Sequence, residues 1–370
     1  MKLVSTSDIT RERWNSFVAQ WPGFELMQSY EWGTFKEILG WRAIRLAVVR
    51  DGRMVAGAQM LIRPLPLRLV SVAYVPRGPL LYWDDEEAVQ VLLPALHASA
   101  RRHRAISLKI EPAIHYSSAL QQRLESEGFC RSSFSNQPQC SMLIDLTPDP
   151  DTILANMHKT TRYNIRYSAR KGVIVREATA DDLDTMYRLL EFTATRAGFP
   201  IRSCEYYCRE WHTLASCGYV KAFLAQYQGE ILAMRMPARF GNRAATLHSG
   251  SFDIHHELKP NELLMWESLQ WAKAQGCVTY DVWGIPDQVG ANLYLGHSLP
   301  KQREGGLWGV YEFKRGFGGN VVYYVGAFDF IYCRLLYGLV NMAMARLGSL
   351  EKLAQLGDRL NVISDQSVGL

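Results

Sequence analysis

The strongest constraint on the fold is that one run of elements occurs twice, roughly 175 residues apart. In the first half, residues 46–58 read as two apolar strands joined at Asp51-Gly52, a dipeptide that favours a tight hairpin. Residues 72–75 follow as a strand that ends among prolines. A helix is predicted from about Asp85 to Arg102, and 106–110 reads as another strand. In the second half the hairpin is 223–233, with Gly229 in the place of Gly52. Then come a strand at 244–248, a helix starting near Asn261 and a strand at 279–283. Strands interleaved with helices in this order predict an α/β (α+β) chain. It would hold two copies of one unit, each a mixed, largely antiparallel sheet flanked by helices. The expected domains are 1–145 plus 320–370, and 146–319.

A chain of 370 residues has ample length to bury two cores. Its net charge of +5 admits an anionic partner without requiring one. Seven cysteines with no C-x-x-C pair argue against a disulfide framework or a zinc ribbon, and His255-His256 lacks metal-ligand spacing. No metal and a reducing, cytoplasmic setting are expected, with the protein a monomer. The first residues lack the apolar core of a signal peptide. The apolar stretch 321–347 is interrupted by Asp329 and Arg334, too short a run to span a bilayer. It suits a surface-lying helix and peripheral contact with the inner membrane face.

Three stretches carry chemistry. In 308–319, Lys314 and Arg315 stand between aromatics and before Gly316, Gly318 and Gly319, where a backbone can turn tightly or approach a ligand. Both cations could donate to an oxyanion or a phosphate. The second stretch, from a cap at Pro148-Asp149-Pro150 to Gly172, predicts one continuous helix. Arg162, Arg166 and Arg170 recur along it every four residues, beside Lys159, Tyr163 and Tyr167. That face suits a phosphate backbone, though a merely solvated charged face would read the same. Third, Lys36 lies at the edge of a helix capped by Ser29 and ended by Gly40, while Arg202 and Tyr206 sit one turn apart.

Six short segments occur in order: 28–33, 74–79, 157–166, 260–267, 280–285 and 313–319. Together they resemble the Fem (FemABX) family of non-ribosomal peptidyltransferases over nearly the whole chain. The resemblance implies two tandem acetyltransferase-like (GNAT) domains. It also implies transfer of an amino acid from aminoacyl-tRNA to the side-chain amine of the third stem-peptide residue of a UDP-linked or lipid-linked peptidoglycan precursor. No cofactor is expected, since aminoacyl-tRNA is the co-substrate. Carried over by position, Phe313 and Lys314 would be the catalytic pair. Lys36, Arg202, Tyr206, Tyr74 and Trp283 would bind the precursor, and Lys159, Arg162, Arg166 and Arg170 would contact the tRNA. The sequence departs from the family at Leu247-His248, where a tyrosine is frequent, and it has no long helical hairpin. Asp281 and Glu312 are candidates for a base by chain position. Two other readings stay open. An acyl-CoA N-acyltransferase would need [Arg/Gln]-x-x-Gly-x-[Gly/Ala] before a helix, which 315–320 fails to match. A non-catalytic RNA- or envelope-binding protein would have less use for the Phe313-Lys314 pair.

Overall fold

The computed structural model describes residues 1–300 and 307–347. The chain divides into two compact units, one of residues 1–21, 27–137 and the chain from Val325, the other of 22–26 and 138–324. Each unit is built on a seven-stranded mixed sheet.

The strands are β1 (Lys2–Ser5), β2 (Arg42–Arg50), β3 (Arg53–Pro64), β4 (Ser71–Val75), β5 (Ala105–Ile110), β6 (Cys130–Arg131) and β7 (Cys140–Asp145). They continue with β8 (Ile174–Glu177), β9 (Phe223–Tyr227), β10 (Glu230–Phe240), β11 (Arg243–Ser251), β12 (Thr279–Asp281), β13 (Asn320–Tyr323) and β14 (Phe328–Ile331). The first sheet runs β1-β2-β3-β4-β5-β14-β6 and the second, read from its opposite edge, β8-β9-β10-β11-β12-β7-β13. In each, an antiparallel meander leads into one parallel pair, β4 with β5 and β11 with β12.

The causes of this repetition are local. Asp51 and Gly52 both take positive φ, as do Gln228 and Gly229, so both hairpins turn through left-handed residues. The helix Glu86–Arg102 links β4 to β5; Asp85 accepts from Ala88 N at its start, and Ala88, Leu92, Leu96 and Ala100 line its buried face. Its counterpart Pro260–Ala274 links β11 to β12. It begins with proline at the first helical position and buries Leu264, Met265, Ser268 and Ala272.

Two sequence expectations need correction. The boundaries at 145 and 320 do not match the sheets. β7 pairs with β12 and with β13, so 140–145 and 320–323 belong to the second unit, while β14 inserts between β5 and β6 of the first. The continuous helix from 150 is two helices, Pro150–Ala155 and the basic helix Lys159–Arg170. At the break, Arg162 Nη1 donates to Ala155 O at 2.7 Å and also to Met157 O, and His158 N donates to Gly316 O at 2.9 Å. Side-chain and long-range bonds thus replace the helical ladder. Among the described residues no helix is long and apolar enough to cross a membrane.

Candidate active site

The second unit holds a pocket of about 320 Å³ lined by Arg235, Thr246, Leu247, Trp283, Phe313 and Lys314, among others. The sheet supplies one wall. Met236 pairs with His248 and Pro237 with Thr246, so Leu247 is an extra residue in β11. Such a bulge turns neighbouring side chains to one face, and both Thr246 and Leu247 line the pocket. Arg235, from β10, donates through Nη1 to Thr246 Oγ1 at 3.2 Å, and Thr246 Oγ1 lies 2.9 Å from Tyr280 Oη.

The helix Trp308–Arg315 supplies the other wall. Lys314 is 9% exposed; its Nζ donates to Trp283 O at 3.0 Å and to Gly284 O at 2.8 Å. Burial, then the Arg235 cation, pull its pKa down to about 7, against a smaller opposing pull from Asp281. Trp283 holds φ at +66°, a costly conformation for a bulky residue. Its N–H donates to Asp281 Oδ1 at 2.7 Å, and Ser141 Oγ donates to the same oxygen. The buried Asp281 therefore holds the turn whose carbonyl receives Lys314, which is a positioning role. Phe313 packs on Phe317, ring centroids 5.1 Å apart, and the Arg235 guanidinium lies 5.9 Å from its ring. Glu312 and Arg315 are exposed and face each other at 3.5 Å.

The glycines after Lys314 serve close approach of protein to protein. A Cβ on Gly316 would sit 2.3 Å from Thr161 Oγ1 of the basic helix, and one on Gly319 would sit 2.7 Å from Leu143 O. Gly316→Ala is therefore expected to lower stability by about 1–3 kcal/mol, and Thr161→Ala should restore most of the loss in the double variant. Thermal melts of the four proteins test this; additive losses would mean that the contact is not the cause.

The remaining sequence candidates fall in separate places. In the first unit, Lys36 is buried with its Nζ 5.2 Å from the Trp32 ring and 5.0 Å from Phe35, both on its own helix. Tyr74 Oη donates to Glu111 and accepts from Gln137 Nε2 at 3.1 Å; burial, with the Glu111 charge, raises its pKa. In the second unit, the Arg202 guanidinium lies 5.8 Å from the Tyr206 ring, and burial raises the pKa of that phenol. On the basic helix Lys159, Arg166 and Arg170 are exposed, whereas Arg162 is committed to the break. Tyr163 and Tyr167 stack on each other at 5.7 Å.

The model of the FemAB family matches residues 9–132, 127–216 and 211–345. The chain belongs to the FemAB family. Lipid II:glycine glycyltransferase of Staphylococcus aureus is 21% identical over 92% of this chain and 96% of that protein. The crystal structure of FemX superposes with a TM-score of 0.79 at 21% identity, covering 92% of this chain and 100% of that one. A tandem GNAT protein from the clavulanic acid biosynthesis pathway gives 0.50 at 12% identity, covering 89% and 98%. The fold is thus the tandem GNAT arrangement.

Two groups in this FemAB chain escaped the sequence reading. Arg235 is a lone cation in the apolar run Ile231-Leu232-Ala233-Met234-Arg235-Met236, and that isolation was the available signal. The other is Glu210, whose Oε2 lies 2.6 Å from Nε2 of His248 in the strand around Leu247-His248, where the His248 ring packs edge-on against Tyr207. Glu210 follows Tyr206 by one helical turn, a spacing visible in the sequence.

Proposed function

We propose that this aminoacyltransferase moves an amino acid from aminoacyl-tRNA to the side-chain amine of the third stem-peptide residue of a peptidoglycan precursor, building an interpeptide bridge. The observation that carries the reading is Lys314, buried in a pocket and anchored by two carbonyls. The S. aureus relative is named for glycyl transfer on lipid II, which favours a lipid-linked acceptor here. Lys36 and Tyr74 of the first unit, and Arg202, Tyr206 and Trp283 of the second, are each proposed to contact the precursor, and no cofactor takes part.

The reaction is aminolysis of an activated ester. As a cation, Lys314 spends two N–H groups on Trp283 O and Gly284 O and keeps a third for the carbonyl oxygen on which charge develops. The amide N–C bond forms, the ester C–O bond breaks, and the proton lost by the amine ends on the ribose oxygen. Negative charge growing beside Lys314 favours its protonated form, so a group near neutrality in the free protein is cationic where it is needed. Exposed Lys159, Arg166 and Arg170 are assigned to the RNA backbone, beside the exposed face of Tyr163.

The test is transfer of radiolabelled amino acid from charged tRNA to the precursor, with and without ribonuclease. Transfer is expected to vanish on RNA digestion and to ignore acetyl-CoA. Transfer that survives digestion, or acetylation of the precursor by acetyl-CoA alone, would replace this reading with the acyl-CoA enzyme.

A further inference from the structure

We propose that Arg235 receives a carboxylate borne by the same carbon as the nucleophilic amine, so that the preferred acceptor is a diamino dicarboxylic residue such as diaminopimelate. The inference rests on the transfer reaction above and adds the identity of its acceptor.

Arg235 is 3% exposed, on an interior strand of the second sheet. Among the described residues its guanidinium has one hydrogen-bond partner, the neutral Thr246 hydroxyl, and its Nε has none. No carboxylate pairs with it there. Glu262, whose charge it feels, accepts instead from Asn164 Nδ2 at 3.0 Å. A buried guanidinium without an anion is costly, and the cost is removed when a ligand brings the anion. The pocket it lines is the one that Lys314 lines, so an anion on Arg235 sits at the site of transfer.

The shape of the site favours a carboxylate over an RNA phosphodiester. At about 320 Å³ the pocket is at the small end for ligands, with walls of Leu247, Val282, Val310, Trp283 and Phe313. A second guanidinium, Arg196, also lines the pocket, but it is exposed and faces Asp253 at 3.8 Å. The buried fork without an anion among the described residues is Arg235, and apolar walls beside it suit an aliphatic side chain ending in a planar anion. A phosphodiester is bulkier and flanked by nucleosides, and the exposed cations of the basic helix suit it better. Lysine and ornithine bring an amine alone and would leave Arg235 without its anion. An amine whose own carbon bears the carboxylate is brought into the pocket that Lys314 lines by that one contact.

The experiment compares three lipid-linked precursors in detergent whose stem pentapeptides carry diaminopimelate, its side-chain amide or lysine at the third position. Binding is measured by calorimetry without donor, then transfer from charged tRNA. Wild-type protein is expected to bind and use the free acid about tenfold to a hundredfold better than the other two, and Arg235→Gln should level all three. Equal binding of acid and amide by wild type would overturn the proposal without recourse to any variant. So would a preference that persists in Arg235→Gln, or a loss in that variant of RNA affinity alone. A binding preference without transfer from tRNA would instead sink the transfer reaction and leave the carboxylate site standing.

Discussion

Lys314→Met is expected to lower turnover about a hundredfold to a thousandfold, the usual cost of deleting an oxyanion donor, while the fold persists. Methionine keeps most of the apolar stem, so lost packing does not account for such a drop. The same variant should show a pH-dependent gain in stability. The folded-state pKa of Lys314 is about 7, below its ordinary 10.5, because charging it in the interior is unfavourable. Between those two values the unfolded chain binds the proton and the folded chain does not, so wild-type stability rises with pH across that window. The burial penalty is therefore complete below about pH 7 and absent above about 10.5. Thermal melts should show the variant gaining on wild type as pH falls from 10 to 6, a trend opposed by a constant loss from the two carbonyls left without a donor. Turnover within a few-fold of wild type would reduce Lys314 to a structural cation, and a pH-independent stability difference would mean that it is not buried as a cation.

The triple substitution of Lys159, Arg166 and Arg170 by alanine should weaken binding of charged tRNA about a hundredfold near physiological salt. The log–log salt slope should become shallower by about two to three, one increment for each phosphate contact removed. Arg162→Ala should behave differently. Its guanidinium closes the break between two helices, so the loss appears first in thermal stability, about 1–2 kcal/mol for bonds between a charged donor and carbonyls. Filter binding across a salt series, alongside melts, separates the two. Unchanged tRNA affinity in the triple variant would move the RNA elsewhere on the protein.

Much of the fold was legible because its causes are short-range. Asp51-Gly52 and Gln228-Gly229 form equivalent turns, and Asp85 and Pro260 mark helix starts by their own chemistry. What escaped depends on partners distant in the chain. The break after Ala155 is made by Gly316 and Arg162, and periodicity across 150–171 cannot register it. The glycines at 316 and 319 were legible as special, but Thr161 and Leu143 are the atoms that require them. Lys314 was found as part of a motif, whereas Arg235, which shifts its pKa, stands in no motif and becomes visible once β10 and β11 pair.

The pairing of β14 between β5 and β6 has a consequence for synthesis on the ribosome. The second unit's sheet is complete once Tyr323 has emerged, since its last strand β13 joins β7 there. The first unit, though begun first, still lacks the strand on which β6 depends, because β6 pairs with β14 and β14 ends at Ile331. The half of the protein that is translated earlier therefore closes later. Until then the edge of β5 stands open, a template for wrong pairing that the nascent chain carries through most of its elongation.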